Sequence, residues 1–292
     1  DPQAIGNPAY SLYNDTIQYF FTWNTSSSNK RYILENDVNY AAYSSVENYV
    51  LFNQVFNYNN GYQEGERSSQ NSSSFNMPGE GWGTGNYNGV PGGAILANSL
   101  STPEVYTGAG APNVLFNGLS SSSSNAAYSG SGNHHLRWEI GPSNFVLADT
   151  IFTGYKFIKI SKSIAPSLLS SGATNVNWRI INDQGAATDF QAMNYISLIY
   201  PRTTNFQGNT KFNFNVLNNA QGKIRIDATN VGATNPIILV HGDTPRMIPF
   251  TTFGSGRSAL IPNSTNGVNQ TVIYQDSSLI QSISSLLPVN GT

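Results

Sequence analysis

The feature that most limits the fold of this chain is a two-residue alternation of apolar and polar side chains, repeated in segment after segment. Leu136, Trp138 and Ile140 alternate with His135, Arg137 and Glu139, and Val176, Trp178 and Ile180 alternate with Asn175, Asn177 and Arg179. Phe212, Phe214 and Val216 alternate with Asn213 and Asn215, then Ile224 and Ile226 with Lys223, Arg225 and Asp227. Neighbouring side chains of a strand point to opposite faces, so this spacing predicts strands with one face on a core and the other toward water. Ile17, Tyr19, Phe21 and Trp23 mark a further such strand near the N-terminus, while residues 195–200 read as a strand buried on both faces.

Turn clusters punctuate these runs: Asn59-Asn60-Gly61, Pro91-Gly92-Gly93, Asp183-Gln184-Gly185 and Gly254-Ser255-Gly256. Short strands at close spacing with such punctuation indicate β-sandwiches. Helical periodicity is weak. Residues 277–287 read as a terminal strand rather than an amphipathic helix, and 163–170 as a loop or single helical turn around Pro166. The serine-rich stretches 68–74 and 120–125 lack apolar side chains and read as exposed loops. A new alternating pattern begins after Pro201-Arg202. The expected architecture is therefore all-β: an N-terminal β extension over 1–75, a jelly-roll-like β-sandwich over 76–202 and a smaller Ig-like β-sandwich over 203–292.

A chain of 292 residues buries enough surface to be stable without disulfides or metals. Only 10% of its residues are charged and the net charge is −2, with Lys and Arg scattered singly apart from Lys30-Arg31. That leaves no electrostatic footprint for nucleic acid or anionic lipid. The weakly charged Asn/Ser/Tyr-rich composition suits an extracellular or cell-surface protein. Apolar runs such as 236–240 are far too short for a transmembrane segment, and the Asp1 start is expected to be a processed or cloned boundary. There is no cysteine, which excludes thiol catalysis, disulfides and thiolate metal sites.

No catalytic set emerges from the remaining residues. His241-Gly242 follows an apolar run, as at the end of a caspase-like strand, and Asp243 is available to orient the ring, but the dyad has no thiol partner. His134 and His135 are adjacent on a strand and face opposite ways, so they cannot readily share a metal ion. The acidic pairs Glu35/Asp37 and Glu64/Glu66 read as solvated turn residues. No cofactor is expected, a structural calcium in the loops being the one ion the sequence leaves room for. Trp138 and Trp178 fall in the apolar phase and belong to the core, whereas Trp82, in a glycine-rich turn, is the candidate ligand contact together with Tyr87. That turn, GEGWGTG, lacks the Gly-Lys-Ser/Thr ending of a phosphate loop.

Several sequence words occur in a suggestive order. LYNDTIQYFFTWN at 12–24 and Arg31-Tyr32 are followed by GEGWG at 79–83, then HHLRWEI, NVNWRI and YISLIYPR, and finally PIILVHGDTPRM at 236–247. This series resembles the N-terminal, non-catalytic region of gingipain-type cysteine peptidases, above all the PorU-like sortases of the type IX secretion system. The resemblance implies a catalytic His-and-Cys domain beyond Thr292, so no catalytic residue carries over to this chain. It also implies a parent that cleaves C-terminal signals from secreted cargo and joins the cargo to a surface glycolipid. This chain would be its accessory scaffold at the outer-membrane surface of a Gram-negative bacterium, with cargo, other secretion components or a glycan as partners. The Asp-Thr-Ile triplets are similar to the O-glycosylation sequon of such bacteria, which makes Thr16 and Thr150 candidate acceptors. The alternative is a carbohydrate-binding or adhesive jelly-roll module of a secreted surface protein. A free-standing hydrolase is the least supported class.

Overall fold

The computed structural model describes residues 31–65, 79–122, 133–242, 244–265, 267 and 270–280. Among these the chain is almost entirely β-structure. The strands are β1 (Ile33–Leu34), β2 (Val50–Asn57), β3 (Gly61–Glu64), β4 (Glu80–Gly83), β5 (Tyr87–Asn88), β6 (Ala94–Thr102), β7 (Val114–Ser122), β8 (His134–Ile140), β9 (Phe145–Phe152) and β10 (Phe157–Ile164). They continue with β11 (Gly172–Ile180), β12 (Phe190–Arg202), β13 (Lys211–Val216), β14 (Lys223–Ala228), β15 (Pro236–His241), β16 (Arg246–Pro249), β17 (Thr251–Phe253), β18 (Gly256–Pro262) and β19 (Gln270–Asp276). Helical structure among the described residues is limited to the 3₁₀ turns Tyr40–Ala42, Pro166–Leu168 and Ser277–Leu279. The last stands where the predicted terminal strand would begin, with the Asp276 side chain accepting the Ser278 N–H and capping the turn, while 281–287 lie outside the described residues.

The described residues fall into two compact units, one formed by 52–202 and the other by 31–51 with 203–280. In the first, β2, β12, β7 and β10 lie side by side, with β5 also on β12, and a second sheet runs β6-β11-β8-β9. Phe116, Ile196 and Leu198 of one sheet share a core with Leu136, Trp138, Ile140 and Trp178 of the other, which makes the unit a β-sandwich. Phe116 and Trp138 meet edge to face at 5.8 Å. Residues 196, 198 and 200 are fully buried, but Tyr195, Ser197 and Ile199 are half-buried. The outer face of β12 is thus covered in part, and burial on both faces is not reached.

Ser120, Ser121 and Ser122, read from sequence as part of an exposed loop, are instead the buried end of β7. Two of their hydroxyls find partners: Ser120 Oγ donates to the Ala192 carbonyl at 2.9 Å and accepts from Trp178 Nε1 at 3.1 Å, and Ser122 Oγ donates to the half-buried Gly154 carbonyl at 2.7 Å. A small hydroxyl is tolerated in a core when hydrogen-bonded, and here it satisfies a buried indole. The glycine-rich segment around Trp82 is likewise β4 and no turn. A Cβ on Gly83 would come within 2.8 Å of the Met193 carbonyl oxygen, so glycine is what lets this strand lie against the main chain of β12.

In the second unit one sheet runs β1-β16-β15-β19-β13, with β1 parallel to β16, and a smaller one runs β14-β18-β17. Ile238, Val240 and Val272 share a core with Ile224, Ile226 and Ile261. Phe206 lies in an aromatic cluster, 4.4 Å from Phe212 and 4.7 Å from Tyr274 by ring centroid. The Tyr274 hydroxyl accepts from the Ala233 N–H at 3.0 Å and donates to the Asn209 carbonyl at 2.9 Å.

Candidate functional site

A connected set of ionisable side chains lies on the outward phase of β8 in the first unit. Leu136, Trp138 and Ile140 fill the inner phase, so His135, Arg137 and Glu139 are left on the other face, where their partners come from β9, β11 and the loop after β11. His135 bridges two carboxylates, Nδ1 to Asp183 at 2.9 Å and Nε2 to Asp149 at 2.5 Å. Asp149 also receives Arg137 at 2.7 Å, and Glu139 receives Arg179 at 2.7 Å. Burial opposes charge on the His135 ring, but the hydrogen bonds to Asp149 and Asp183 outweigh it and raise its pKa. Asp149 is lowered chiefly by the His135 bond, and Asp183 by the Gln184 amide and then His135.

A neutral imidazole has one N–H, so donating to two ionised carboxylates requires the imidazolium. Both ring nitrogens of His135 are occupied, which leaves no lone pair to receive a nucleophile's proton. The cluster is therefore suited to holding loop 181–189 against β8 and β9, not to general-base chemistry. His134 points the other way. It is fully buried, its Nδ1 donates to Asp189 at 2.7 Å, and its ring stacks on Phe152 at 4.7 Å.

The structure gives Trp82 and Tyr87 different neighbours. Trp82 is half-buried on β4 and meets Tyr62 of β3 edge to face at 5.3 Å, while the Tyr62 hydroxyl donates to the Glu80 carboxylate. Tyr87 packs against Trp178 at 5.8 Å, at the margin of the core. Thr150 is half-buried in β9 opposite Leu136, while Thr16, Glu66 and Asp243 lie outside the described residues. His241 ends β15 and has the Tyr32 hydroxyl 3.0 Å from Nε2.

Glu35 and Asp37 are not the solvated acids their surroundings in sequence predict. Lys223 Nζ lies 3.2 Å from Glu35 and 2.7 Å from Asp37, and Arg246 reaches Glu35 at 3.0 Å. The hydrogen bond from Lys223 is the first cause of the lowered Asp37 pKa. Partners so distant in sequence leave no local pattern, and for the same reason Asp149 and Asp183 escaped the sequence reading as partners of His135. Among the described residues no group of His, Asp and Glu side chains converges as a metal site, and no helix is long and apolar enough to cross a membrane.

No family model and no curated protein matches the chain. In shape it is similar to the crystal structure of dimeric latent PorU from Porphyromonas gingivalis, with a TM-score of 0.55 and 10% identity over 81% of this chain and 21% of that one. The chain thus spans about a fifth of the length of that structure, and at this identity the likeness speaks for the fold alone. A structure of infectious bursal disease virus, Gx strain, aligns over 76% of this chain and 39% of that one at 8% identity and a TM-score of 0.26, too low to carry an argument.

Proposed function

We propose that this chain is a non-catalytic scaffold region of a PorU-like surface protein of the type IX secretion system, presenting its sheets to secreted cargo or to other secretion components. The observation that carries this reading is the shared fold over 81% of the chain. The complete absence of cysteine supports a role without a thiol nucleophile, catalysis being left to other parts of the parent protein at the outer-membrane surface. The test is to incubate the purified chain with peptides bearing a type IX C-terminal signal. Retention without cleavage is expected, and His241→Ala should behave as wild type. Signal-dependent cleavage lost in His241→Ala would overturn the reading.

One observation favours a second reading, a carbohydrate-binding module: the Tyr62–Trp82 pair beside the Glu80 carboxylate joins an aromatic surface to a hydrogen-bond acceptor. In that case Trp82→Ala loses about 1–3 kcal/mol of affinity for a polysaccharide, taking stacking of bases on aromatic rings as the guide. A glycan array silent for the wild-type chain removes this reading. Thr16 and Thr150 remain proposed glycan acceptors, checked by intact mass of the protein secreted from its own host. No cofactor is proposed, and a loop-bound calcium would show as a fall in Tm on adding chelator.

A further inference from the structure

In the second unit an open groove of about 520 Å³ is lined by Leu34, Ile237, Met247, Pro249, Thr234 and Arg257, among others. Its apolar wall follows from strand pairing. Leu34 lies opposite Met247, and Ile237 opposite Pro249, so two apolar rungs stand on one face of β1, β16 and β15. The alternate residues Ile238 and Ile248 point into the core and are fully buried. Leu34 is 53% exposed.

At the polar end of this wall stands Arg257, whose Nη1 donates to the Phe250 carbonyl at 3.2 Å and Nη2 to the Thr234 carbonyl at 3.4 Å. Among the described residues no carboxylate lies within ion-pair distance of it, whereas Arg225 and Arg246 of the same unit hold Asp227 and Glu35. Asp276, next to the groove residue Ser277, is committed elsewhere: it accepts the N–H groups of Ser278, Asn235 and Thr234, and these, Ser278 foremost, hold its pKa at about 2. A guanidinium has five donors, and a carboxylate is the partner its fork fits best.

We propose that this groove docks an extended peptide segment that lays aliphatic side chains on the Leu34–Met247 and Ile237–Pro249 rungs and sets an Asp or Glu carboxylate on Arg257. An open groove along sheet rungs suits a chain better than a small molecule, whose sites enclose most of the ligand surface. The site goes beyond the scaffold reading and does not depend on it.

The test uses the isotope-labelled chain and two acetylated, amidated pentapeptides, VSLSE and its uncharged twin VSLSQ, whose Val, Leu and acidic or amide side chains share one face of an extended strand, followed by amide chemical shifts at low ionic strength. VSLSE is expected to shift Thr234, Met247, Thr252 and Arg257 and to bind about fivefold more tightly than VSLSQ, the size of effect expected of a partly exposed ion pair. Arg257→Gln should make the two peptides equal, and Met247→Glu should abolish groove shifts for both, with far-UV circular dichroism confirming that each variant is folded. Absence of groove shifts at about 5 mM peptide, a concentration that populates even millimolar complexes, overturns the proposal. Equal binding of the two peptides to the wild-type chain overturns it too, as does octanoate moving the same amides as strongly as VSLSE.

Discussion

At the scale of single residues, two tryptophans face each other across β8 and β11 with opposite hydrogen-bonding fates. Trp138 and Trp178 are register partners and both fully buried, but Trp178 Nε1 donates to Ser120 while Trp138 Nε1 has no partner among the described residues. An unpaired buried N–H costs about 1–3 kcal/mol, and a satisfied one contributes about 1 kcal/mol. Replacing either ring by Phe leaves a similar void, so the difference between the variants reports the N–H. Trp178→Phe is expected to destabilise by about 2–4 kcal/mol more than Trp138→Phe, read from urea midpoints at unchanged slope.

His135 adds a pH signature. Its folded pKa is raised, so its contribution is fully present below the unfolded histidine value of about 6.5 and is lost as pH rises through the folded value. Asp149 and Asp183 are lowered, so their contributions are present above the unfolded value of about 4 and are lost as pH falls. The network is therefore strongest between roughly pH 4 and 6.5. Because both carboxylates are well exposed, its loss on the alkaline side amounts to no more than about 1 kcal/mol. His135→Gln should flatten that alkaline decline in urea midpoint. A variant that keeps the wild-type slope between pH 6 and 9 would show that another group titrates there.

At the scale of elements, loop 181–189 is pinned from two sides by neighbouring residues of one strand. Asp183 reaches His135 on the outer phase of β8, Asp189 reaches buried His134 on the inner phase, and the Ile181 N–H donates to the His135 carbonyl. The inner pin is dry and Asp189 also accepts from Gln191 Nε2 at 2.9 Å, so removing it strands two donors. Asp189→Ala is expected to cost about 1–3 kcal/mol, against less than about 1 kcal/mol for Asp183→Ala. Hydrogen exchange should show protection lost across 181–189 in the first variant and only near its start in the second.

The same element shows how far the sequence could be read. The alternation in β8 and β11 announced both strands, their inner faces and the core tryptophans, because period and burial are local consequences of the pleat. The opposed directions of His134 and His135 followed from that period too. Their partners did not, since Asp183 and Asp189 sit in a turn-like segment whose composition says only that the chain reverses. Ser120–Ser122 misled for a related reason: a serine run looks solvated until the Ala192 and Gly154 carbonyls and the Trp178 indole are known to surround it. Polar side chains reveal their roles through distant partners, apolar ones through spacing.

At the scale of the whole molecule, the second unit is discontinuous in sequence. Residues 31–51 supply it with Tyr40 and Val50, both buried, and with the Glu35 and Asp37 carboxylates that hold Lys223 and Arg246. The Tyr40 hydroxyl donates to the Ser258 carbonyl at 2.8 Å, and Arg225 Nη1 donates to the Tyr40 carbonyl at 3.0 Å. Losing two large buried side chains removes about 3–6 kcal/mol of burial, a large share of the 5–15 kcal/mol typical of a folded domain. It also strips Lys223 and Arg246 of their carboxylates. A fragment of 203–292 alone is therefore expected to show no cooperative thermal transition by far-UV circular dichroism. Fusing 31–51 to its N-terminus through a flexible Gly/Ser linker should restore one, and Tyr40→Ala in that fusion should lower its midpoint by several degrees. A cooperative transition in 203–292 alone, at the midpoint of the fusion, would show that the 203–292 segment builds its sandwich unaided and that the N-terminal strand and turn only decorate it.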